Sequence, residues 1–318
     1  MDSPTAAAAQ LGGVDDLPAG LTTRPLSVAD APEVAALIGA EEAATLGYPE
    51  ITTADLVADW QRPSFDPATG TVGVFEERRL VGYAAYTGSG NCDVAVDPGR
   101  HGQGIGTALA RWCQERARAD GAARVDMQVP QGSAADRFME RHGYRLRWTA
   151  WDLELPASAQ LDAASVPAGF HVREAAPDDY DDVWQVMEDA FLEWSDRARA
   201  SRDDFLARTV QRPGFEPSHL RVIADAEGTV VGAAYAILEE GTGNVERLAV
   251  RATHRRRGLA RALLADTFAT LREQGAARST LATDSRTGAL PLYEHLGMRI
   301  VSTWVNRAIE LSPVPPGI

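Results

Sequence analysis

The chain has 318 residues, 45% of them hydrophobic and 24% charged, with a formal net charge of −14. That is enough material for two packed cores, and the acidity excludes the basic footprint by which nucleic-acid binders displace counterions. No apolar run is long enough to cross a bilayer, and Ala6 to Ala9 lacks the basic flank and leucine-rich core of an export signal. A membrane or nucleic-acid partner is therefore not expected. Two cysteines, Cys92 and Cys113, fit a reducing cytoplasm better than a disulfide framework. All 31 basic residues are arginine. The acidic balance suits a cationic substrate, or simply keeps the protein soluble.

In chain order, residues 1–19 lack periodicity and read as a frayed tail. Leu21 to Leu26 predicts a strand, and Asp30 with Glu33 predicts the cap of a helix through Val34, Leu37 and Ile38. A helix at Ala54 to Trp60, strands at Val72 to Glu76 and Leu80 to Tyr86, and a glycine-rich turn come next. They lead to a helix ending at Ala119, a strand at Arg124 to Val129, a helix at Ala134 to His142 and a strand at Leu146 to Leu155. Residues 157–168, rich in Ala, Ser and Pro, read as a linker. Beyond it come a strand from Phe170, a helical segment carrying Trp184, Phe191 and Trp194, a helix at Arg202 to Val210, and strands at His219 to Asp225, Val230 to Leu238 and Val245 to Val250. A second glycine-containing turn opens a helix to Gln274, followed by a strand at Ser279 to Thr283, a short tyrosine-bearing helix and a last strand to Leu311.

The two series are one series repeated. Val96 to Gly106 occupies the place of Val250 to Ala260, 154 residues earlier, and Gly121-Ala122-Ala123-Arg124 falls on Gly275-Ala276-Ala277-Arg278 at the same spacing. Glu140, Gly143 and Arg145 fall on Glu294, Gly297 and Arg299, and Gln61 to Pro67 matches Gln211 to Pro217. The period is domain-sized, far above that of a solenoid repeat. Two domains are expected, 20–156 and 169–313, with a short tail at 314–318 and, given the internal duplication, a monomer.

In the second copy, Arg255-Arg256-Arg257-Gly258-Leu259-Ala260 joins a strand to a helix start. Free N–H groups point out of such a helix end, Gly258 has no side chain to block an incoming group, and arginines add charge-assisted contacts, so the segment suits a diphosphate. Taken alone it would pass for an ordinary basic turn. Together with Leu292-Tyr293-Glu294-His295-Leu296-Gly297-Met298 it resembles the GNAT N-acetyltransferase superfamily, whose pattern is V-x-P-x-x-R/Q-x-x-G-x-G/A followed by Y-E-x-x-G-F. The resemblance implies a mixed α/β (α+β) class of two tandem GNAT folds, each a central, mostly antiparallel twisted sheet with helices on both faces. It also implies acetyl-CoA as co-substrate, no metal, and a cofactor-binding set of Leu248, Ala249, Val250, Arg255, Arg256, Arg257, Gly258, Leu259, Ala260 and Ser285. In the first copy the corresponding cradle is Val96, Gly102, Gln103, Gly104, Ile105 and Gly106.

Amide formation from a thioester needs a held carbonyl, a neutral amine, a proton acceptor and a proton for the departing thiolate. By the resemblance, Tyr293 supplies that proton; a tyrosine simply packed under the sheet is the other reading. The family's usual base position is Asn244, which cannot accept a proton. Glu246, two residues on and so on the same strand face, is the substitute, with Glu239 and Glu240 in reserve. A solvated or arginine-paired Glu246 is the alternative. The first copy has Met139 where the tyrosine belongs, Gly90 at the base position and His101 in place of the first arginine, so catalysis is expected in the second copy. His101 is either a base or a solvent-facing turn residue. The expected acceptor is a small-molecule primary amine, which a closed pocket walled by Phe191, Trp194 and Tyr235 would favour, whereas an open acidic groove would favour a peptide. A peptide acetyltransferase, the mycothiol synthase group of tandem GNATs and a non-catalytic acyl-CoA binder remain open.

Overall fold

The computed structural model describes residues 14, 16–156, 159, 161 and 166–312. In the first copy, strand β1 (Leu21–Arg24) leads to helices α1 (Ala31–Leu46), α2 (Thr53–Trp60) and α3 (Pro67–Gly70) and strands β2 (Thr71–Glu76), β3 (Arg79–Gly88) and β4 (Asn91–Val96). Helix α4 (Ile105–Ala119), β5 (Arg124–Pro130), α5 (Ala134–Arg141) and β6 (Arg145–Leu155) follow. The second copy runs β7 (Phe170–Glu174), α6 (Tyr180–Leu192), α7 (Arg202–Arg208), β8 (Leu220–Asp225), β9 (Val230–Glu239), β10 (Thr242–Val250), α8 (Leu259–Glu273), β11 (Arg278–Asp284), α9 (Leu290–His295) and β12 (Arg299–Glu310).

The cap of α1 differs from the expected Asp30–Glu33 box. Ser27 is extended, and its N–H and hydroxyl both donate to Asp30 Oδ2, at 2.8 and 2.9 Å, so the box closes one turn earlier. In the second copy Ala176 has no hydroxyl, and its N–H alone donates to Asp179, at 2.7 Å. Helix α6 ends at Leu192, so Trp194 lies in the turn beyond it.

Two compact units form, the first from two separate segments and the second from one continuous segment. One joins Met1–Thr149 to Trp304–Ile318; the other is Ala150–Thr303. In the first, β1 to β4 pair antiparallel in sequence order, β4 and β5 run parallel, and β5 pairs antiparallel with Trp304 to Glu310 of β12. In the second, β7 to β10 pair antiparallel, β10 runs parallel to β11, and β11 pairs antiparallel with Ala150 to Leu155 of β6. Each unit thus takes one strand from the other half of the sequence. Val305 and Leu311 are buried in the first core, Leu153 and Leu155 in the second. This differs from the contiguous domains 20–156 and 169–313. A strand's own alternation suits either sheet, so burial against a particular partner decides where it goes.

The expected frayed tail is also shorter than 1–19. Val14 is buried with Leu17 against the first core, and Asp16 pairs with Arg111 at 2.5 Å. Residues 1–13 and 15, the tail at 314–318 and most of the linker lie outside the described residues. Within the linker, Ala159 and Leu161 pack on the second core.

Each sheet carries helices on both faces. In the first unit α1 and α2 cover one face with Leu37, Leu56 and Trp60, and α4 and α5 the other with Leu109, Trp112 and Met139. In the second, α6 and α7 supply Val183, Met187 and Phe205, and α8 and α9 supply Leu264, Phe268 and Tyr293.

Candidate functional site

Both units open their sheet at one place. Strands β10 and β11 keep register only from Thr242↔Arg278 to Val245↔Leu281, and β4 and β5 share the single pair Asn91↔Asp126. Past those points the strand that leads to the glycine turn is free to pair along one edge with an extended ligand. In the second unit the turn itself holds Arg256 at φ 60° and Gly258 at φ 82°, both left-handed. That geometry turns successive N–H groups to one side ahead of α8. A Cβ on Gly258 would approach nothing closer than Pro167 Cγ at 4.0 Å, so the space beside it is open to a ligand. Gly102 and Gly104 repeat the two left-handed positions in the first unit. Such a turn preceded by a strand with one unpaired edge fits the diphosphate and pantetheine arm of an acyl-CoA.

The three arginines of the turn separate in role. Arg255 donates through both terminal nitrogens to Glu193, each at 2.6 Å, and through Nε to the carbonyl of Val250 at 3.0 Å. The bond to Arg255 holds the Glu193 carboxyl below its ordinary range, and Glu193 raises Arg255 in return. Arg255 therefore braces the strand end against the segment beyond α6. The first unit has the same brace in weaker form. His101 Nε2 lies 3.1 Å from the Val96 carbonyl and 4.0 Å from Glu41, so this exposed turn residue is tied to the strand. Burial pushes the Glu41 carboxyl up, and the Val96 N–H donates to it at 3.2 Å. A recurring acid 152 residues apart, Glu41 and Glu193, was the available signal for this brace.

Strand β10 carries a bulge between Val245 and Arg247 where it pairs with β9. Val245 faces the α8 side with Tyr293, whereas Ala249 faces the α6 side with Tyr235 and Phe205. The extra residue puts Glu246 and Arg247 on one face in succession, which simple alternation forbids. Asn244 accepts from the Thr280 hydroxyl at 2.9 Å and donates through its amide to Glu246, whose carboxylate is solvent-exposed. Of the reserves, Glu239 pairs with Arg212 at 2.9 Å and Glu240 sits in the turn after β9 at φ 48°.

Tyr293 is buried in α9 against Val245 and Leu281, the last registered residues of the two diverging strands. Desolvation pushes its phenol up to about 12, so it keeps its proton at neutral pH. Ser285 follows Asp284, which accepts from the Arg286 N–H and guanidinium at 2.7 to 3.1 Å.

The α6 face of the opening is lined by alternating guanidinium and aromatic groups. Arg286 lies 4.7 Å over Trp194, Trp194 is 5.2 Å from Phe191, and Arg247 lies 5.2 Å over Phe191 and 5.9 Å over Phe205. Phe191 and Trp194 are thus in contact. Arg247 escaped the sequence reading because the bulge that turns it to this face has no sequence signature.

The first unit holds a cavity of about 410 Å³. Its mouth is Arg100, His101, Gly102 and Gly104, and its depth is apolar, ending at Cys92, Cys113 and Met139. Both thiols are free and buried. At Gly90 a Cβ would meet the Arg124 carbonyl oxygen at 2.3 Å, so no side chain fits at the position equivalent to Asn244.

The profile of the Acetyltransferase (GNAT) family matches residues 38–144 and again 180–298. The chain belongs to this family. As a GNAT enzyme it is an acyltransferase that uses an acyl-CoA co-substrate, with one GNAT repeat in each half of the sequence. A mycothiol acetyltransferase of Salinispora arenicola is 33% identical over 70% of this chain and 73% of its own, and that of Salinispora tropica 31% over 71% and 77%. Among solved structures, a GCN5-related N-acetyltransferase from Sphaerobacter thermophilus is 27% identical, with a TM-score of 0.70 over 95% of this GNAT chain and 98% of its own. A tandem GNAT protein from the clavulanic acid biosynthesis pathway shares the fold at 19% identity and TM-score 0.67, over 92% and 99%. Among the described residues no helix is long and apolar enough to cross a membrane, and no cluster of metal ligands occurs.

Proposed function

We propose that the second unit transfers an acetyl group from acetyl-CoA to the primary amine of a small molecule by direct attack on the thioester. The observation that carries this reading is Tyr293, protonated and buried where β10 and β11 part, beside the strand that leads into the Gly258 turn. Bound there, acetyl-CoA supplies the activated acetyl group. Backbone groups of Leu248, Ala249 and Val250 hold the pantetheine arm. The N–H groups at Gly258, Leu259 and Ala260, with Arg256 and Arg257, hold the diphosphate; Ser285 borders the same opening. Tyr293 gives its proton to the departing thiolate. Glu246, steered by the Asn244 amide, takes the amine's proton directly or through water. The first unit lacks acid and base, with Met139 and Gly90 in those places, and its cavity with Val96, Gln103, Ile105 and Gly106 around the turn serves as a non-turnover acyl-CoA site. The reading gives a cytoplasmic monomer. Thiol release from acetyl-CoA across a panel of amines tests it. Amine-stimulated release is the expected result, and CoA binding with no release from any amine would leave a non-catalytic binder.

The mycothiol acetyltransferases among the relatives favour a second reading, in which the acceptor is the cysteinyl amine of the mycothiol precursor. Release by that precursor alone, with other amines inert, would establish it.

A further inference from the structure

Helix α6 buries one carboxylate, Glu188, on the acceptor face of the second unit, only 1% exposed. It is already saturated: Arg197 donates to both its oxygens at 2.7 and 2.8 Å, and the Ala200 N–H adds a third bond at 2.9 Å. Arg247 stops short of it. Its Nη1 is 3.7 Å from Glu188 Oε1, buried, and without a hydrogen-bond partner among the described residues. A guanidinium with an unmet buried N–H is costly unless something else fills it. Its faces lie against Phe191 and Phe205, which give cation–π contact but accept no N–H in its plane. The neighbours do not neutralise it either. Burial, and next the Arg208 charge, pull its pKa down to about 10, ahead of the opposing effect of Glu188. Around Arg247 the charges of Arg208 and Arg197 add to the effect of burial, while Glu188 and Glu246 oppose it. The Arg247 side chain as a whole keeps 21% exposure, so part of it borders solvent on the strand that carries the bulge.

We propose that Arg247 recognises a carboxylate on the acceptor, so that the substrate class is an amine that also carries a carboxylate, as an amino acid does. A planar fork between two aromatic rings matches a carboxylate in shape as well as charge. The bulge places that fork one residue from Leu248, on the strand proposed to hold the thioester. A bound carboxylate would therefore set its amine close to the reacting carbonyl. The inference rests on the acetyl-transfer reading for what happens to the amine, not for the binding of the carboxylate.

The test compares a panel of amino acids with their carboxamides and decarboxylated amines, by thiol release from acetyl-CoA. The expected result is a kcat/KM about 100-fold higher for at least one carboxylate than for its carboxamide. Arg247→Met should bring the carboxylate down to the carboxamide's level while leaving the carboxamide rate and CoA affinity unchanged. Arg247→Lys, which keeps the charge without the fork, should fall between, and it stands in if the methionine variant does not fold. Equal turnover of carboxylate and carboxamide by the wild type, or equal loss of both in Arg247→Met, would overturn the proposal. If no amine releases thiol, acetyl transfer fails as the function. Calorimetric titration of the same pairs into the CoA complex then decides the carboxylate, supporting it if the amino acid binds and its carboxamide does not, and overturning it if they bind alike or neither binds.

Discussion

At the scale of single residues, the chemistry rests on groups whose environment sets their protonation. The phenol of Tyr293, held at about 12 by burial, stays a proton donor throughout the neutral range. Tyr293→Phe keeps the ring and its packing. It should lower kcat by about 100-fold with little change in CoA affinity, as single-turnover kinetics and CoA titration would show. Because the folded pKa lies above the ordinary phenol value of about 10, the ratio of wild-type to variant kcat should stay flat up to that pH. Glu188 illustrates the opposite balance. Burial raises its carboxyl, but Arg197, the Ala200 N–H and Arg247 together leave it below the ordinary range. With a depressed folded pKa, its contribution is complete above the ordinary glutamate value and is lost as pH falls through the folded one. Glu188→Leu should cost about 2 kcal/mol in chemical denaturation at neutral pH, less than a fully buried pair because Arg197 is partly in solvent.

At the scale of elements, the strand–turn–helix segment was legible and the bulge within its strand was not. Gly258 marks the left-handed position because any other residue there is strained, and the periodic leucines mark the helix that follows. Gly258→Asp should weaken CoA binding by at least about 10-fold, through lost space and like charge against phosphate, with the fold kept; calorimetry would show it. The bulge in β10 left no trace in the sequence, since it arises from how two strands settle their register, and it decides which side chains line the acceptor face. The brace between Glu193 and Arg255 belongs to the same scale. It joins residues 62 apart in the chain, and only folding makes them neighbours.

At the scale of the whole molecule, the exchange of outer strands makes the halves interdependent. A chain stopped after Thr303 removes the strand that pairs with β5 and the buried Val305 and Leu311. Circular dichroism and proteolysis should then show the first unit unfolded, and the isolated segment 20–156 should fail in the same way. The inequality of the two units gives a further expectation. Met139→Leu exchanges one buried apolar side chain for another of similar volume and should leave turnover within about two-fold, which a steady-state assay checks.

The sequence by itself determined the duplication, the order of strands and helices, the glycine turns and the presence of Met139 and Gly90 where the second copy has Tyr293 and Asn244. Each of these is written in local periodicity or in residue types that only one backbone conformation or one chemistry accepts. Only the tertiary structure decided which unit receives the last strand, that Arg255 is engaged by Glu193, and that Arg247 turns to the acceptor face with an N–H unfilled. Those outcomes depend on pairings between distant segments, where burial and charge choose among partners that local pattern leaves equivalent.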